Sequence, residues 1–570
     1  MAVGLRVAYH RQLSSTPEIL QHQSGESDMG FFDSWAQVIA EGDLLTDQEL
    51  HPLHGWHTDI ARLWFSWHPE ERALREAEAA ARGDGSRPEA MLWNSWFGGK
   101  QLHQEPLYPY ALGLLYALGG GAGSMLVLQL LVGVLSVLLI YRITGRAFGG
   151  AAAAAAALLA TFYGPLLLYD LVLLRTTMLV AVGLWLVDRA DLAFRRGTPG
   201  AWWVCGLVCG LAVLLKASFA LFFLGLVAVL VLRERSVRHA LVCSAACLLC
   251  LAPVFARNLA VGAPVFSLTS VGPIHFALNN SAGAQASLSG FVPNPHTMAE
   301  VFGQAGGEPG AVVQGALASL GSVGAFLELA SARLSNTFHW YEIPNNVNFY
   351  VFREQAPALA WAGVSFAVLA PLGLIGLWLA RRRRCGPALW LVLTSLIPLV
   401  ALGILARYRV LFAAALLPFA GLALARGLAW VAARRWSWAG SALAGALAFG
   451  VALSRPLPED VPLIREADLA APWGFAVRAE VEAAEARGDP QAAVDALQAM
   501  LRRAPPELES LREDELTSTP REARLAFFYA PLQARLAKRL DELGDEAGAR
   551  VARHHAQRLN GAVKVTWAMP

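Results

Sequence analysis

SMLVLQLLVGVLSVLLIY, residues 124–141, contains no charged side chain. Coiled as an α-helix at about 1.5 Å per residue, it reaches about 27 Å, close to the hydrocarbon thickness of a bilayer. Similar apolar runs follow near 149–167, 171–188, 201–215, 217–232, 239–256, 357–380, 387–405, 409–428 and 437–454. Their Gly/Ala-rich stretches, such as GGAAAAAAALLA at 149–160, permit close helix packing. The fold expected from this pattern is all-α: a polytopic membrane protein with about ten spans. Composition agrees, at 55% hydrophobic and 16% charged over 570 residues, where soluble domains carry about 25% charged. A formal net charge of +2 gives no reason to expect a polyanionic partner, so nucleic acid is excluded and the lipid bilayer is the first partner.

Outward from these runs, the basic residues set orientation. Arg142/Arg146, Arg189/Arg195/Arg196, Arg233/Arg235/Arg238, Arg381–Arg384 and Arg434/Arg435 fall in alternate short loops. They share one side, expected to be cytoplasmic. The opposite, periplasmic or exterior side then receives residues 1–123, the Tyr169–Asp170 turn, Lys216, the loop 257–356, Arg407/Arg409 and the tail from 455. MAVGLRVAYHRQ has no apolar core of a cleavable signal, so the count of spans suggests an upstream first span. The six cysteines (205, 209, 243, 247, 250, 385) lie in or beside apolar runs and read as small packing residues, with neither a disulfide framework nor a metal site expected.

Three organisational blocks follow: an exterior region 1–123, a membrane domain 124–454 with its loop 257–356, and an exterior helical tail 455–570. In the first block, SGESDMGFFDSWAQVIAEGD (24–43) sets acidic residues before an amphipathic helix. Phe31, Phe32, Trp35, Val38 and Ile39 share a face that suits a headgroup boundary. Ser27 or Asp28 stands where an N-cap belongs, and a helix N-terminus also keeps a carboxylate ionised. Residues 44–97 read as a polar, irregular insertion with one charged helix, PEERALREAEAAARGDG; His51, His54 and His57 there read as a solvated loop more readily than as zinc ligands. The Leu107–Leu118 helix is too short to cross a bilayer. In the tail, FAVRAEVEAAEARGDPQAAVDALQAMLRRAPPELE reads as two antiparallel helices, spaced like one tetratricopeptide repeat, and a second pair is expected at 520–541 and 545–560.

Polar residues at the exterior ends of spans need a reason to be there. Asp170, Arg175, Lys216, Arg257, Arg407 and Arg409 are such residues, and interfacial snorkelling accounts for the long ones better than for Asp170. Carboxylates and cations gathered on one membrane face suit transfer from a phosphate-linked donor. The carboxylate takes a proton from the acceptor, and the cations neutralise the departing phosphate. In the long loop His275, Asn279 and Asn280 could meet sugar hydroxyls, turn formation being the plainer role for the Asn/Ser/Gly-rich piece.

Five segments in order carry a resemblance: SDMGFFDSWAQVIAEGD, GGKQLHQEPLYPYALGLLYALGG, LQLLVGVLSVLLIYRITGRAFGG, APVFARNLAVGAPVFSLTSVGPIHFALNNSAGA and, more weakly, ARYRVLFAAALLPFAGLAL. The chain resembles GT-C class membrane glycosyltransferases of the protein O-mannosyltransferase-like group (family 39-like), which includes the aminoarabinose transferase acting on lipid A. The resemblance implies a catalytic acid in the first exterior loop, at Asp28, and a second at Asp170. It implies a polyprenyl-phosphate sugar donor held by exterior Arg and Lys, and an exterior lipid, glycan or protein acceptor. Asp28-Met29 replaces the Asp-Glu pair of many members, and 44–97 is extra. These departures leave acceptor and metal dependence open.

The resulting expectation is a glycosyltransferase (hexosyl or pentosyl) of the bacterial inner membrane, its site facing the periplasm. Asp28 acts as general base, or as ligand of a divalent ion, the one cofactor admitted. Asp170 supports it, Lys216, Arg257, Arg407 and Arg409 hold phosphate, and Gln104, Glu105, His275, Asn279 and Asn280 shape the pocket. A protein partner through the tail is also expected. The rival readings are a non-catalytic envelope scaffold and, less well supported, a transporter, which would need charges at mid-membrane.

Overall fold

Apolar runs of this length leave the backbone one way to satisfy its own N–H and C=O groups in lipid, and the computed structural model is correspondingly helical. It describes residues 1–23, 27–46, 53, 55–286, 294–381, 385–453, 480–502, 504 and 520–568. Among these, β-structure is limited to two isolated bridges, Tyr163 with Val364 and Asn345 with Val347. The helices of the apolar part are α1 (Leu107–Ala117), α2 (Ala122–Phe148), α3 (Gly150–Thr161), α4 (Thr176–Arg196), α5 (Pro199–Leu215) and α6 (Ala217–Arg233). They continue with α7 (Val237–Val261), α8 (Phe366–Ala380), α9 (Gly386–Leu402), α10 (Ala406–Ala432) and α11 (Trp436–Leu453). Each expected span contains a helix, although the run 171–188 is α-helical only from Thr176 and 357–380 is interrupted at 362–365, and the protein is a polytopic helical membrane protein. By length and composition alone α2, α7 and α10 can each cross a bilayer. A further pair, Pro309–Ser319 and Val323–Thr337, has that character together but bends by 92° within what reads as a loop.

Helix α10 is the hub. Every residue from Arg409 to Ala423 is buried, and α2, α3, α4, α8, α9 and α11 all pack on it. Small residues make this possible: a Cβ on Gly376 of α8 would overlap the Phe419 carbonyl, and one on Gly421 the Ala152 carbonyl at 2.5 Å. The outer faces keep their leucines unpartnered, with Leu131 and Leu138 of α2 and Leu241 and Leu249 of α7 more than half exposed, as lipid-facing side chains are. At one end Asp188 gathers Arg142 at 2.9 Å, Arg146 at 2.6 Å and the adjacent Arg189, so two of the arginine groups assigned to one side do meet.

The chain forms two compact units along lines the sequence blocks do not follow. One comprises Met1–Arg6, Ser34–Tyr341 and Trp361–Arg455, and the other Val7–Asp33, Glu342–Ala360 and Pro456–Pro570. Within the first, the described part of 44–97 is not irregular from Gly55 onward. Helices Gly55–Trp67, Pro69–Arg82 and Pro88–Phe97 bury Ile60, Trp64, Trp93 and Trp96 against Met298, Phe302 and Val312 of the long loop. Aromatic side chains spaced one turn apart, unremarked among so many charges, supply this core. The Asp28–Ala40 helix also departs from the headgroup expectation: Trp35 and Ile39 are buried, Trp35 lying edge-on to Tyr110 and Ile39 against Gly113 of α1. An amphipathic aromatic face packs on protein as readily as on lipid, and periodicity does not distinguish the two.

In the second unit, Pro490–Leu501 follows a turn at Gly488 (φ +69°), with Asp489 capping it through the Ala492 N–H. Pro520–Glu542 and Glu546–Ala568 form the expected second pair. Leu497, Met500, Leu532, Leu536 and Leu540 share one core there, and Glu485 binds Arg535 and Arg539 at 2.7 and 2.8 Å. The tetratricopeptide likeness rests on this pairing and the spacing alone.

Candidate functional site

The connection between α5 and α6 brings the chemistry together. Lys216 ends α5 in extended backbone (φ −156°, ψ 115°), which turns its side chain out of the helix. The turn is held from below: Glu105, buried, accepts the Ala217 N–H at 2.8 Å and ion-pairs with Arg175, whose other nitrogen donates to Gln104 Oε1 at 2.7 Å. Burial alone would raise the Glu105 pKa; Arg175 and Lys216 override it and bring the carboxyl down to about 2. Burial and the neighbouring Arg175 pull the Lys216 ammonium below its ordinary value, against the attraction of Glu105.

Lys216 opens onto a cavity of about 60 Å³. Ser218, His275, Thr394, Ser395 and Tyr408 are its other polar lining residues, and Leu391, Leu399 and Leu411 are among its apolar ones. The Lys216 Nζ stands 5.2 Å from the Tyr408 ring centre, and Arg407 lies over the same ring at 4.9 Å while donating to its hydroxyl at 3.2 Å. A cation at the rim of an apolar hollow, fixed through a buried carboxylate, can receive an anion whose remainder is greasy.

Of the residues singled out from sequence, Gln104, Glu105, Lys216, His275 and Arg407 meet here. Arg257 does not: its guanidinium donates to the carbonyls of Leu45, Thr46 and Lys100 and to Asn258 Oδ1. Arg409 likewise donates to the carbonyls of Thr337, His339 and Tyr341, with Phe366 stacked on it at 4.4 Å. Asn279 and Asn280 direct their amides to the carbonyls of His275 and of Phe276 and Ala401, and Asn280 Oδ1 accepts from the buried Arg333. These four, expected to meet phosphate or sugar, knit backbone instead. A cation buried away from water must find acceptors, and neighbouring carbonyls supply them here.

Asp170, expected as a second reacting carboxylate, is buried with Arg6 at 2.8 Å and accepts from Thr177 at 3.0 Å. Gly133 leaves it room, and the adjoining hollow of about 10 Å³ is separate from the Lys216 cavity. Arg6 went unmarked because it is 164 residues away in the chain, beyond the reach of any local pattern.

Asp28 belongs to the second unit. Ser27 is the N-cap, accepting the Gly30 N–H at 2.9 Å, so the cap does not require Asp28. Asn346 donates to Asp28 Oδ2 at 2.8 Å from a left-handed backbone (φ +61°), a conformation more often tolerated where a side chain has a task. His51 and His54 lie outside the described residues; His57 is buried, stacked on Trp56 and edge-on to Trp93.

Residues 103–256 match the family model of dolichyl-phosphate-mannose-protein mannosyltransferases. The resemblance to GT-C membrane glycosyltransferases is borne out over that stretch, which contains Gln104, Glu105, Asp170, Arg175 and Lys216. No curated protein matches the chain in sequence. Among solved structures, ArnT from Cupriavidus metallidurans in the apo state is similar at 15% identity and a TM-score of 0.30, over 82% of this chain and 66% of that one. An Archaeoglobus fulgidus oligosaccharyltransferase, tethered to an acceptor peptide containing the NVT sequon, is similar at 16% identity and a TM-score of 0.33, over 74% and 51%. Similarity at that level fixes no residue of the site, and this chain spans under two thirds of either relative.

Proposed function

We propose that this mannosyltransferase-like protein transfers a sugar from a polyprenyl-phosphate donor to an acceptor on the exterior face of a bacterial inner membrane. The observation that carries the reading is the apolar cavity with Lys216 in its lining, fixed by Glu105 and Arg175. The donor is an anion with a hydrocarbon tail, and the cavity offers both kinds of contact. The acceptor is a lipid, glycan or protein with a free hydroxyl or amine.

In the proposed step the acceptor heteroatom attacks the anomeric carbon and gives its proton to a carboxylate base, the role that the family resemblance implies for Asp28. The bond from that carbon to the phosphate oxygen breaks, and the polyprenyl phosphate leaves with the electron pair. Lys216 and Arg407 neutralise the charge that appears there. The face of attack makes the transfer inverting. Among the described residues Asp28 joins no group of three His, Cys, Asp or Glu donors, so no step is routed through a metal ion.

Asp28→Asn tests the assignment in the full chain, reconstituted in vesicles with a polyprenyl-phosphate sugar. A positioned base is worth about 10²–10⁴-fold, so consumption of the donor is expected to fall by that factor while the protein stays folded. An unchanged rate removes Asp28 from the chemistry. No turnover by the unaltered chain, with its envelope phenotype intact in the Asn variant, replaces the enzyme with a scaffold.

A further inference from the structure

The cysteines at 205, 209 and 243 read singly as packing residues, yet the fold places them together. Cys205 and Cys209 are one turn apart on α5, Cys243 is on α7, all three are buried, and their sulfurs lie within 4.8 Å of one another. The two helices approach this closely because Gly206 and Gly210 face them: a Cβ on Gly206 would overlap the Cys243 carbonyl, and one on Gly210 would meet the Cys247 carbonyl at 2.8 Å. We propose that Cys205, Cys209 and Cys243 form a three-sulfur site for a soft monovalent cation, Cu(I), between α5 and α7. The site takes no part in the sugar-transfer reading and stands or falls apart from it.

The geometry needs little adjustment. Three points no more than 4.8 Å apart lie within about 2.8 Å of a common centre, about half an ångström beyond a metal–sulfur bond of about 2.3 Å. Rotation about the cysteine χ1 angles covers that difference. Thiolate sulfur selects soft ions, and a three-coordinate set suits Cu(I), whereas structural Zn²⁺ takes four ligands. Each cysteine that ligates does so as thiolate and gives its proton to solvent, so uptake of the ion should tighten as pH rises.

Access is from the end where α5 and α7 begin. Cys205 lies six residues into α5 and Cys243 six into α7, and one turn nearer that end His239 is stacked on Trp202 at 6.0 Å. An ion entering from that end meets His239 first, one helical turn from Cys243 on the same face.

The test uses the full-length protein, purified in detergent under reducing conditions and loaded with Cu(I) against a graded chromophoric chelator. About one copper per chain is expected, with sulfur-only coordination in X-ray absorption. The variant carrying Cys205→Ala, Cys209→Ala and Cys243→Ala should lose it, and Cys385→Ser, whose thiol is on another helix, should keep it. Because the triple change could disturb packing, Cys209→Ser alone supplies a second reading: it should weaken copper at least tenfold while the melting profile is retained. Copper equal in all variants, no copper in the unaltered chain, or preferential uptake of Zn²⁺ in four-coordinate form would each overturn the proposal.

Discussion

Two sets of cations in the first unit, similar in sequence setting, do opposite things. Arg257, Arg333 and Arg409 are buried and donate to carbonyls of neighbouring segments, so each is a clasp between loop and helix. Lys216 and Arg407 are only partly covered and lie against the Tyr408 ring, and Lys216 lines the cavity. The difference teaches that a charge at the end of a span is not by itself a ligand site. What decides is whether the backbone nearby offers acceptors enough to satisfy it.

The sharpest way to break this comparison is Arg333→Met. Removing a clasp leaves the Asn279 and Val400 carbonyls and Asn280 Oδ1 without their donor, and each buried acceptor left unsatisfied should cost about 1–3 kcal/mol. Thermal unfolding in detergent checks it; a Tm unchanged within a degree or so would place Arg333 among the ligand-facing cations. Lys216→Met should behave in reverse, leaving Tm nearly unaltered and lowering donor turnover by about 10²–10³-fold, the scale of one lost charge stabiliser. Arg407→Ala, beside it over the Tyr408 ring, should cost about tenfold, mostly in KM for the donor.

The smallest effect is in pH. Because the Lys216 pKa is lowered, phosphate binding requires the protonated amine and should weaken as pH rises through a value below the ordinary lysine range. Lys216→Arg should move that alkaline limb upward, and an unmoved limb would assign it to another group. Glu105 sets the opposite bound. Its folded pKa of about 2 lies under the unfolded value of 4.5, so its contribution to stability is full above pH 4.5 and is lost as pH falls toward 2.

Much of the membrane domain was legible. Charge-free runs dictate helices because lipid offers the backbone no other partner, and the apex expected at Lys216 is where α5 gives way to α6. The cores of 44–97 and the role of Asp28–Ala40 were not, since an apolar face states that it will be covered without stating by what. Asp170 shows the same limit: its environment depends on Arg6, brought in from the far end of the chain.

The sequence by itself determined where helices form, which of them are apolar, and which charges lie at their ends, because those are local consequences of hydrophobicity and hydrogen bonding. Only the tertiary structure decided that α10 is the hub, that Lys216 faces a cavity while Arg409 faces carbonyls, and that three distant-looking thiols share one space. Those outcomes depend on distances between segments tens to hundreds of residues apart, and packing sets such distances at a stage no periodicity records.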